Sequence, residues 1–333
     1  MSEEQKNIAV FGAGSWGTAL ALLLARNGHQ VTLWGHDAAH MATLAHEGEN
    51  HNYLPGVKFP ENLKTSDDLN QTASNSSCWL IVVPSHAFRV TVAALAANLT
   101  SDTILAWATK GLEPGSNKLL SDIVDEVCPG AKAGVVSGPT FAKEVAHGLP
   151  TALAVAAKDD TIANEIAGWL RSDTVRVYTN ADVVGVQLGG AIKNVMAIAA
   201  GISDGLGYGA NARAALITRG LAELTRLGVA LGGHAETFMG LTGAGDLILT
   251  CTDNLSRNRQ VGLALGQGKS LQEILSELGQ EAEGVTTARE LHQLADKMGV
   301  NMPITEQVYR VLYEAVSPQE AVGALLQRDP CAE

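Results

Sequence analysis

The stretch NIAVFGAGSWGTALALLLARNGHQVTLWGHD, residues 7–37, sets a short apolar run, three glycines and a long Ala/Leu-rich segment in succession. Residues 8–11 are apolar and partly β-branched, the composition of a buried strand. Gly12, Gly14 and Gly17 follow in the order G-x-G-x-x-G. Residues 18–27 have the content of a helix, and Gly28 suits its C-terminal end. Residues 30–34 read as a second strand. Strand, glycine turn, helix and strand make one βαβ unit. In such a unit Gly12 permits the tight turn, Gly14 lets a pyrophosphate approach the backbone, and Gly17 lets helix and strand pack closely. The helix N-terminus then faces the phosphates. Glycines gather at many turns, so it is the placement between strand and helix that points to a dinucleotide.

An acidic residue about 20 positions beyond the glycines ordinarily binds the ribose hydroxyls of NAD. Asp37 lies 20 residues beyond Gly17, but Gly35 and His36 come before it at the strand tip. His36 could stand beside a 2′-phosphate. That favours NADP, with NAD left open.

Further along, strand and helix signals alternate. Residues 79–83, 103–108, 131–136, 153–156 and 175–178 read as strands. Residues 91–99 and 117–127 read as helices, the second stopped by Pro129. Such alternation implies a doubly wound, mostly parallel α/β sheet domain of the Rossmann type, with ligands outside the carboxyl ends of the strands. The glycine turn, residues 83–86 and residues 108–111 are expected at that edge, joined by residues 137–140. Beyond residue 185 the strand signals fade. Residues 186–202, 212–231, 247–251, 256–265, 286–298, 304–313 and 319–326 all suit helices. The expected organisation is a dinucleotide-binding domain over residues 1–185 and an all-α substrate and catalytic domain over residues 186–333, with the small-molecule site in a cleft.

Composition excludes several classes. The 333 residues suffice for two domains, and 46% hydrophobic with 17% charged residues suits a globular protein. A net charge of −12 argues against a general nucleic-acid or anionic-membrane surface, so an anionic substrate needs a locally basic pocket. Cys78, Cys128, Cys251 and Cys331 are far apart, as expected of reduced thiols in a cytoplasmic protein rather than a disulfide framework or zinc site. The acidic start, Met1-Ser2-Glu3-Glu4, leaves no room for a signal peptide before the first strand. No apolar run is read as approaching a membrane span, so no stable membrane insertion is expected. The stretch His46-Glu47-Gly48-Glu49-Asn50-His51 lacks metal-ligand spacing and is read as a solvated loop.

Two segments carry candidate chemistry. QLGGAIKNVMAIAAGISDG holds one lysine, Lys193, among small and apolar residues. Burial there would disfavour its charged form and bring its pKa towards the working pH, which suits a general acid/base. The bland alternative is a lysine whose stem carries its charge to the surface. Neighbouring Asn194 could be a polar anchor within the helix. TGAGDLILTCTDNLSRNRQVG places Asp246 at the start of a short helix, where it could be an N-terminal cap or hold a lysine or substrate hydroxyl. Ser256 reads as the N-cap of the next helix. Arg257 and Arg259 then fall in its first turn, where the helix dipole disfavours cations. A bound phosphate would reconcile them, with Arg257, Asn258 and the helix-terminal N–H groups donating to one anion. Alternatively the arginines point to solvent or pair with acidic neighbours.

These residues carry a resemblance. GAGSWGTALA, WATKGLEP, SGPTFAKEV, QLGGAIKNVMAIAAGISDGLGYGANARAALITRG, LTGAGDLILTCTDNLSRN and MPITEQVY, in order along nearly the whole chain, resemble the bacterial NAD(P)-dependent glycerol-3-phosphate dehydrogenases. The resemblance implies reversible hydride transfer between NAD(P)H and dihydroxyacetone phosphate, giving sn-glycerol 3-phosphate for phospholipid synthesis. It implies Lys193 as catalytic acid/base, Lys110 as a residue that holds and polarises the substrate, and Asp246 as part of the active-site hydrogen-bond network. It assigns Ser256, Arg257 and Asn258 to the phosphate, and Gly138 and Thr140 to the border of the substrate. Beside Gly12, Gly14 and Gly17, it assigns Ser15, Trp16, His36, Lys110, Ala142, Arg257 and Glu283 to the cofactor. Glu281 is not carried over, because a second acid there would add charge beside the cofactor. A homodimer is left open. So are a related β-hydroxyacid dehydrogenase and a nicotinamide-binding module without catalysis.

Overall fold

The computed structural model describes residues 5–328. Met1-Ser2-Glu3-Glu4 and Cys331 lie outside them. The chain divides into two compact units. The first runs to Lys110 and resumes over Leu119–Gln187; the second comprises Gly111–Lys118 and the chain from Leu188 onward.

In the first unit the glycine-turn segment forms β1 (Asn7–Phe11), α1 (Ser15–Arg26) and β2 (Gln30–Trp34). The helix stops at Asn27, and Gly28, at φ 91°, makes the left-handed exit. There follow α2 (Ala38–Glu47), β3 (Glu49–Asn50), β4 (Leu54–Lys58), β5 (Leu63–Ser66), α3 (Leu69–Ser74), β6 (Cys78–Ile81), α4 (Ser85–Ala96) and β7 (Ile104–Trp107). The unit is completed by α5 (Leu120–Val127), β8 (Lys132–Ser137), α6 (Ala142–Ala146), β9 (Thr151–Ala157), α7 (Asp160–Leu170) and β10 (Val175–Asn180). The sheet order is β10-β9-β8-β7-β6-β1-β2-β5, and β8 with β9 is its antiparallel pair. Both faces of β1 are covered. Ile8 and Val10 enter one core cluster, Ala9 and Phe11 the other, which explains the unbroken apolar run. The order reverses direction at β1, between β6 and β2, the switch point where such sheets bind ligands.

Two expectations are corrected here. The stretch from His46 to His51 is not a solvated loop. Glu49 and Asn50 are buried in β3, which pairs antiparallel with β4. The helix expected from residue 117 begins at Leu120, because Gly111–Lys118 is a loop that belongs to the second unit. Glu290 accepts the Gly115 N–H at 3.0 Å, and Asn117 donates to Gln293 at 3.2 Å.

The second unit is helical. It contains α8 (Val183–Gly205), whose first residues belong to the sheet unit, then α9 (Gly209–Ala230), α10 (Ala235–Phe238), a π turn (Leu241–Gly245) and α11 (Asp246–Thr252). The chain continues through α12 (Arg257–Gly266), α13 (Leu271–Leu278), α14 (Glu283–Met298), α15 (Pro303–Tyr313) and α16 (Pro318–Leu326). At 23 residues α8 does reach the length and apolarity of a membrane span, contrary to the expectation from sequence. Of its most apolar 18-residue window, 89% is buried within the chain, as in the core helix of a globular protein. Its backbone lies directly against α12. A Cβ on Gly201 would strike the Arg259 carbonyl, and one on Gly262 would strike that of Ile198. Only glycine allows two helices this close.

Candidate active site

In the sheet unit the carboxyl ends of β1, β6, β7 and β8 are stitched together. Gly12 has φ 124°, and a Cβ there would sit 2.6 Å from the Val82 carbonyl oxygen. Thr109 donates to the Val83 carbonyl at 2.7 Å, and Lys110 Nζ reaches the Gly138 carbonyl at 3.4 Å. Thr140 donates to the same carbonyl at 3.3 Å. The candidates Lys110, Gly138 and Thr140 are thus brought together at this edge. Gly17 faces the backbone of Gly12, which leaves no room for a side chain. A Cβ on Gly14 would meet nothing within 4 Å. Two glycines are consumed by packing and the middle one opens on free space at the start of α1, the cradle a pyrophosphate needs. The residues present therefore fit a dinucleotide.

Asn50 supports that turn, donating to the Ala13 carbonyl at 2.9 Å and to Thr18 Oγ1 at 2.8 Å. Ser15 donates to the Tyr53 carbonyl at 2.7 Å. Trp16 and Ala142 both pack on the apolar core of this unit, and the buried Trp16 Nε1 has no hydrogen-bond partner among the described residues. His36 is exposed. Asp37 caps α2, accepting the His40 N–H at 3.0 Å, a bond that holds its carboxyl below the usual range. At the strand tip itself stands Gly35, where a Cβ would come within 2.5 Å of Met41 Sδ.

In the helical unit Lys193, 6% exposed, places Nζ 2.5 Å from Asp246 Oδ1 and 3.0 Å from Thr250 Oγ1. Asp246 is fully buried and opens α11 without capping it, so its carboxylate is committed to the lysine. Thr250 returns its own hydroxyl proton to the Asp246 carbonyl at 2.6 Å. Lys193 does not reach the surface along its stem. The carboxylate at hydrogen-bond distance opposes the effect of burial and favours the ammonium. The neighbouring Cys251 thiol has no solvent access, and burial pushes its pKa up to about 12. It is inert at ordinary pH.

Ser256 caps α12, accepting the Arg259 N–H at 3.2 Å. The two arginines behind it differ. Arg259 folds back into the protein and pairs with Asp204 at 2.5 Å. Arg257, half-buried, donates to Gln280 at 3.1 Å and has no ion pair among the described residues. It lines a cavity of about 440 Å³ with Gln260, Ile274, Glu277 and Gln280. The carboxamide oxygen of Asn258 accepts the Gly284 N–H at 2.9 Å. A Cβ on Gly284 would lie 2.7 Å from both Asn258 Oδ1 and the Asn194 carbonyl oxygen. The start of α14, where Glu283 sits, is thereby fixed against the residue after Lys193 and the residue after Arg257. Glu281 is exposed.

Three contributors were not apparent in the sequence, and the pairing of Arg259 with an acid was one of the alternatives left open there. Thr250 could have been found, since it stands one helical turn after Asp246. Asn50 and Gln280 left no local signal.

A glycine turn built for a dinucleotide and a buried Lys–Asp pair define a nicotinamide-dependent dehydrogenase of the two-unit, sheet-then-helices kind. Comparison with known proteins narrows this. Residues 7–163 match the family model described as NAD-dependent glycerol-3-phosphate dehydrogenase N-terminus, and residues 182–323 match its C-terminus. The chain belongs to the NAD-dependent glycerol-3-phosphate dehydrogenase family. It is an oxidoreductase whose cofactor class is NAD or NADP. It is 54% identical over 328 residues to a glycerol-3-phosphate dehydrogenase [NAD(P)+] of Aeromonas salmonicida, covering 98% of each chain. It is 56% identical over 326 residues to the protein of that name from Thioalkalivibrio sulfidiphilus, again covering 98% of each. The crystal structure of glycerol-3-phosphate dehydrogenase from Coxiella burnetii superposes with a TM-score of 0.95 at 47% identity, over 97% of this chain and 99% of that one.

Proposed function

We propose that this chain catalyses the reversible reduction of dihydroxyacetone phosphate to sn-glycerol 3-phosphate, a product that feeds phospholipid synthesis. The sheet unit serves as the dinucleotide-binding domain and the helical unit as the substrate and catalytic domain. The observation that carries the reading is the buried Lys193–Asp246–Thr250 cluster, a positioned proton donor in the same unit as the half-buried Arg257.

Gly12, Gly14, Ser15, Trp16, Gly17, His36, Lys110, Ala142, Arg257 and Glu283 would hold the cofactor. When bound, NAD(P)H supplies the hydride. NADP is favoured over NAD, because the strand tip carries Gly35 rather than an acid and the Asp37 carboxylate is engaged in capping.

The chain's own residues do the rest. The guanidinium of Arg257, the amide NH2 of Asn258, the Ser256 hydroxyl and the first N–H groups of α12 bind the substrate phosphate. Anchoring this remote group removes much of the orientational cost of reaction. Gly138 and Thr140 border the substrate, and Lys110 polarises its carbonyl. As negative charge develops on the carbonyl oxygen, the Lys193 ammonium stabilises it and transfers its proton there. The hydride and that proton complete a secondary alcohol. Asp246 holds the ammonium charged beforehand, and Thr250 fixes its direction.

The test is to supply dihydroxyacetone phosphate and follow NADPH and NADH consumption separately. Formation of glycerol 3-phosphate, faster with NADPH, is the expected result. Tight cofactor binding without turnover would refute the substrate assignment.

A further inference from the structure

Arg259 breaks a local rule, a cation in the first turn of a helix, and the structure shows what compensates it. The residue is 6% exposed, and its guanidinium spends its donors on three separate segments. Nε donates to the Cys251 carbonyl at 3.0 Å, at the end of α11. Nη1 donates to Asn254 Oδ1 at 2.6 Å, in the turn between α11 and α12. Nη2 pairs with Asp204 Oδ2 at 2.5 Å, near the end of α8. Asp204 accepts a second bond from Arg213 at 2.8 Å. The Arg259 main chain is held as firmly. Its N–H goes to Ser256 Oγ, and its carbonyl lies where a Cβ on Gly201 would be.

We infer that Arg259 is a positioning residue for the substrate phosphate. It closes the turn between α11 and α12, and that turn delivers Ser256, Arg257 and Asn258. A planar fork with five donors can satisfy three acceptors in different directions; an ammonium cannot reproduce that geometry. Three of the five Arg259 donors are engaged within the protein, and the side chain is buried. Its guanidinium is paired with Asp204, whereas Arg257 has no ion pair among the described residues, so the phosphate meets Arg257 as its cation. The pair of arginines thus divides the work: Arg257 binds, and Arg259 holds the turn from which Arg257 projects. This inference rests on the phosphate role of Arg257 and Asn258.

The experiment compares Arg259→Lys, Asp204→Asn and Arg257→Ala with the parent enzyme, using dihydroxyacetone phosphate and phosphate-free dihydroxyacetone as substrates. For Arg259→Lys the KM for the phosphorylated ketone should rise about tenfold or more, which corresponds to ~1.4 kcal/mol of lost binding. Its kcat, and its kcat/KM for dihydroxyacetone, should stay within roughly threefold of the parent. Asp204→Asn should move the same constants in the same direction by less. Equal losses on both substrates would mean that Arg259 merely supports the fold, and overturn the inference. An unchanged KM for the phosphorylated ketone in Arg259→Lys would overturn it too. If Arg257→Ala raises that KM while Arg259→Lys does not, the inference alone fails. If Arg257→Ala leaves it unchanged, the phosphate site itself has been misassigned.

Discussion

The ammonium of Lys193 lies 2.5 Å from Oδ1 of Asp246, and the carboxylate is entirely cut off from solvent. Two charges removed from water cancel only while both are present. Asp246→Ala would strand a buried ammonium, and such losses cost about 3–5 kcal/mol. The midpoint of urea unfolding should fall accordingly. Asp246→Asn, which keeps the shape, should still lower kcat for ketone reduction by about tenfold or more, as expected for a mispositioned acid. A variant with unchanged stability and unchanged kcat would contradict the pairing.

The three glycines of the first turn should respond differently to substitution. Gly17→Ala drives a methyl into the Gly12 backbone and should lower the melting temperature by several degrees. Gly14→Ala meets open space, so the melting temperature should hold while NADPH affinity, measured by calorimetry, drops about tenfold. Equal effects of the two on stability would contradict the division of labour between packing and ligand approach.

Removing a charge-assisted bond to a phosphate costs roughly 1.5–3 kcal/mol, or about 10- to 150-fold in binding. Arg257→Ala should therefore raise the KM for dihydroxyacetone phosphate by a factor in that range and leave NADPH-independent properties such as unfolding intact. Gln280→Ala frees the guanidinium from its 3.1 Å partner and should change the same constant by a smaller factor. Steady-state kinetics of the two variants checks both.

The βαβ start, the parallel sheet and most of the helical unit were legible because each rests on local chemistry. Apolar residues bury both sheet faces, glycines stand where backbones meet, and Ser256 caps where a cap is needed. β4 and β5 were not legible. Leu54-Pro55-Gly56 carries turn residues, and β5, at the sheet edge, is too polar to announce a strand. Lys193 and Asp246 each stood out as candidates, but their bond joins residues 53 apart in sequence, and no local pattern encodes it. Pairing of Arg259 with an acid was one of the readings open in the sequence, but which acid was hidden for the same reason. Its partner Asp204 sits on α8, and only the close glycine-lined approach of α8 and α12 brings them together.

Stability should depend on pH through Glu223. This buried carboxylate accepts the N–H groups of Ile304 at 2.6 Å and Thr305 at 3.2 Å at the start of α15, and burial raises its pKa from 4.5 to about 7. Between those values the native state holds a proton that the unfolded chain releases. Its contribution is full below pH 4.5 and is lost as pH rises through about 7. The whole effect is ~3 kcal/mol at most. Urea unfolding at pH 5.5 and pH 8 should show this loss in the parent, and Glu223→Gln should flatten it. A parallel pH dependence in the variant would contradict the assignment.

The most direct test of the central claim is the turnover of Lys193→Ala with dihydroxyacetone phosphate and NADPH, measured beside its affinity for NADPH. Cofactor binding should match the parent's, and kcat should be lower by about 10²–10⁴, the range for loss of a positioned proton donor. Turnover near the parent's, with the variant folded and the cofactor bound, would contradict the role of Lys193 as the proton donor.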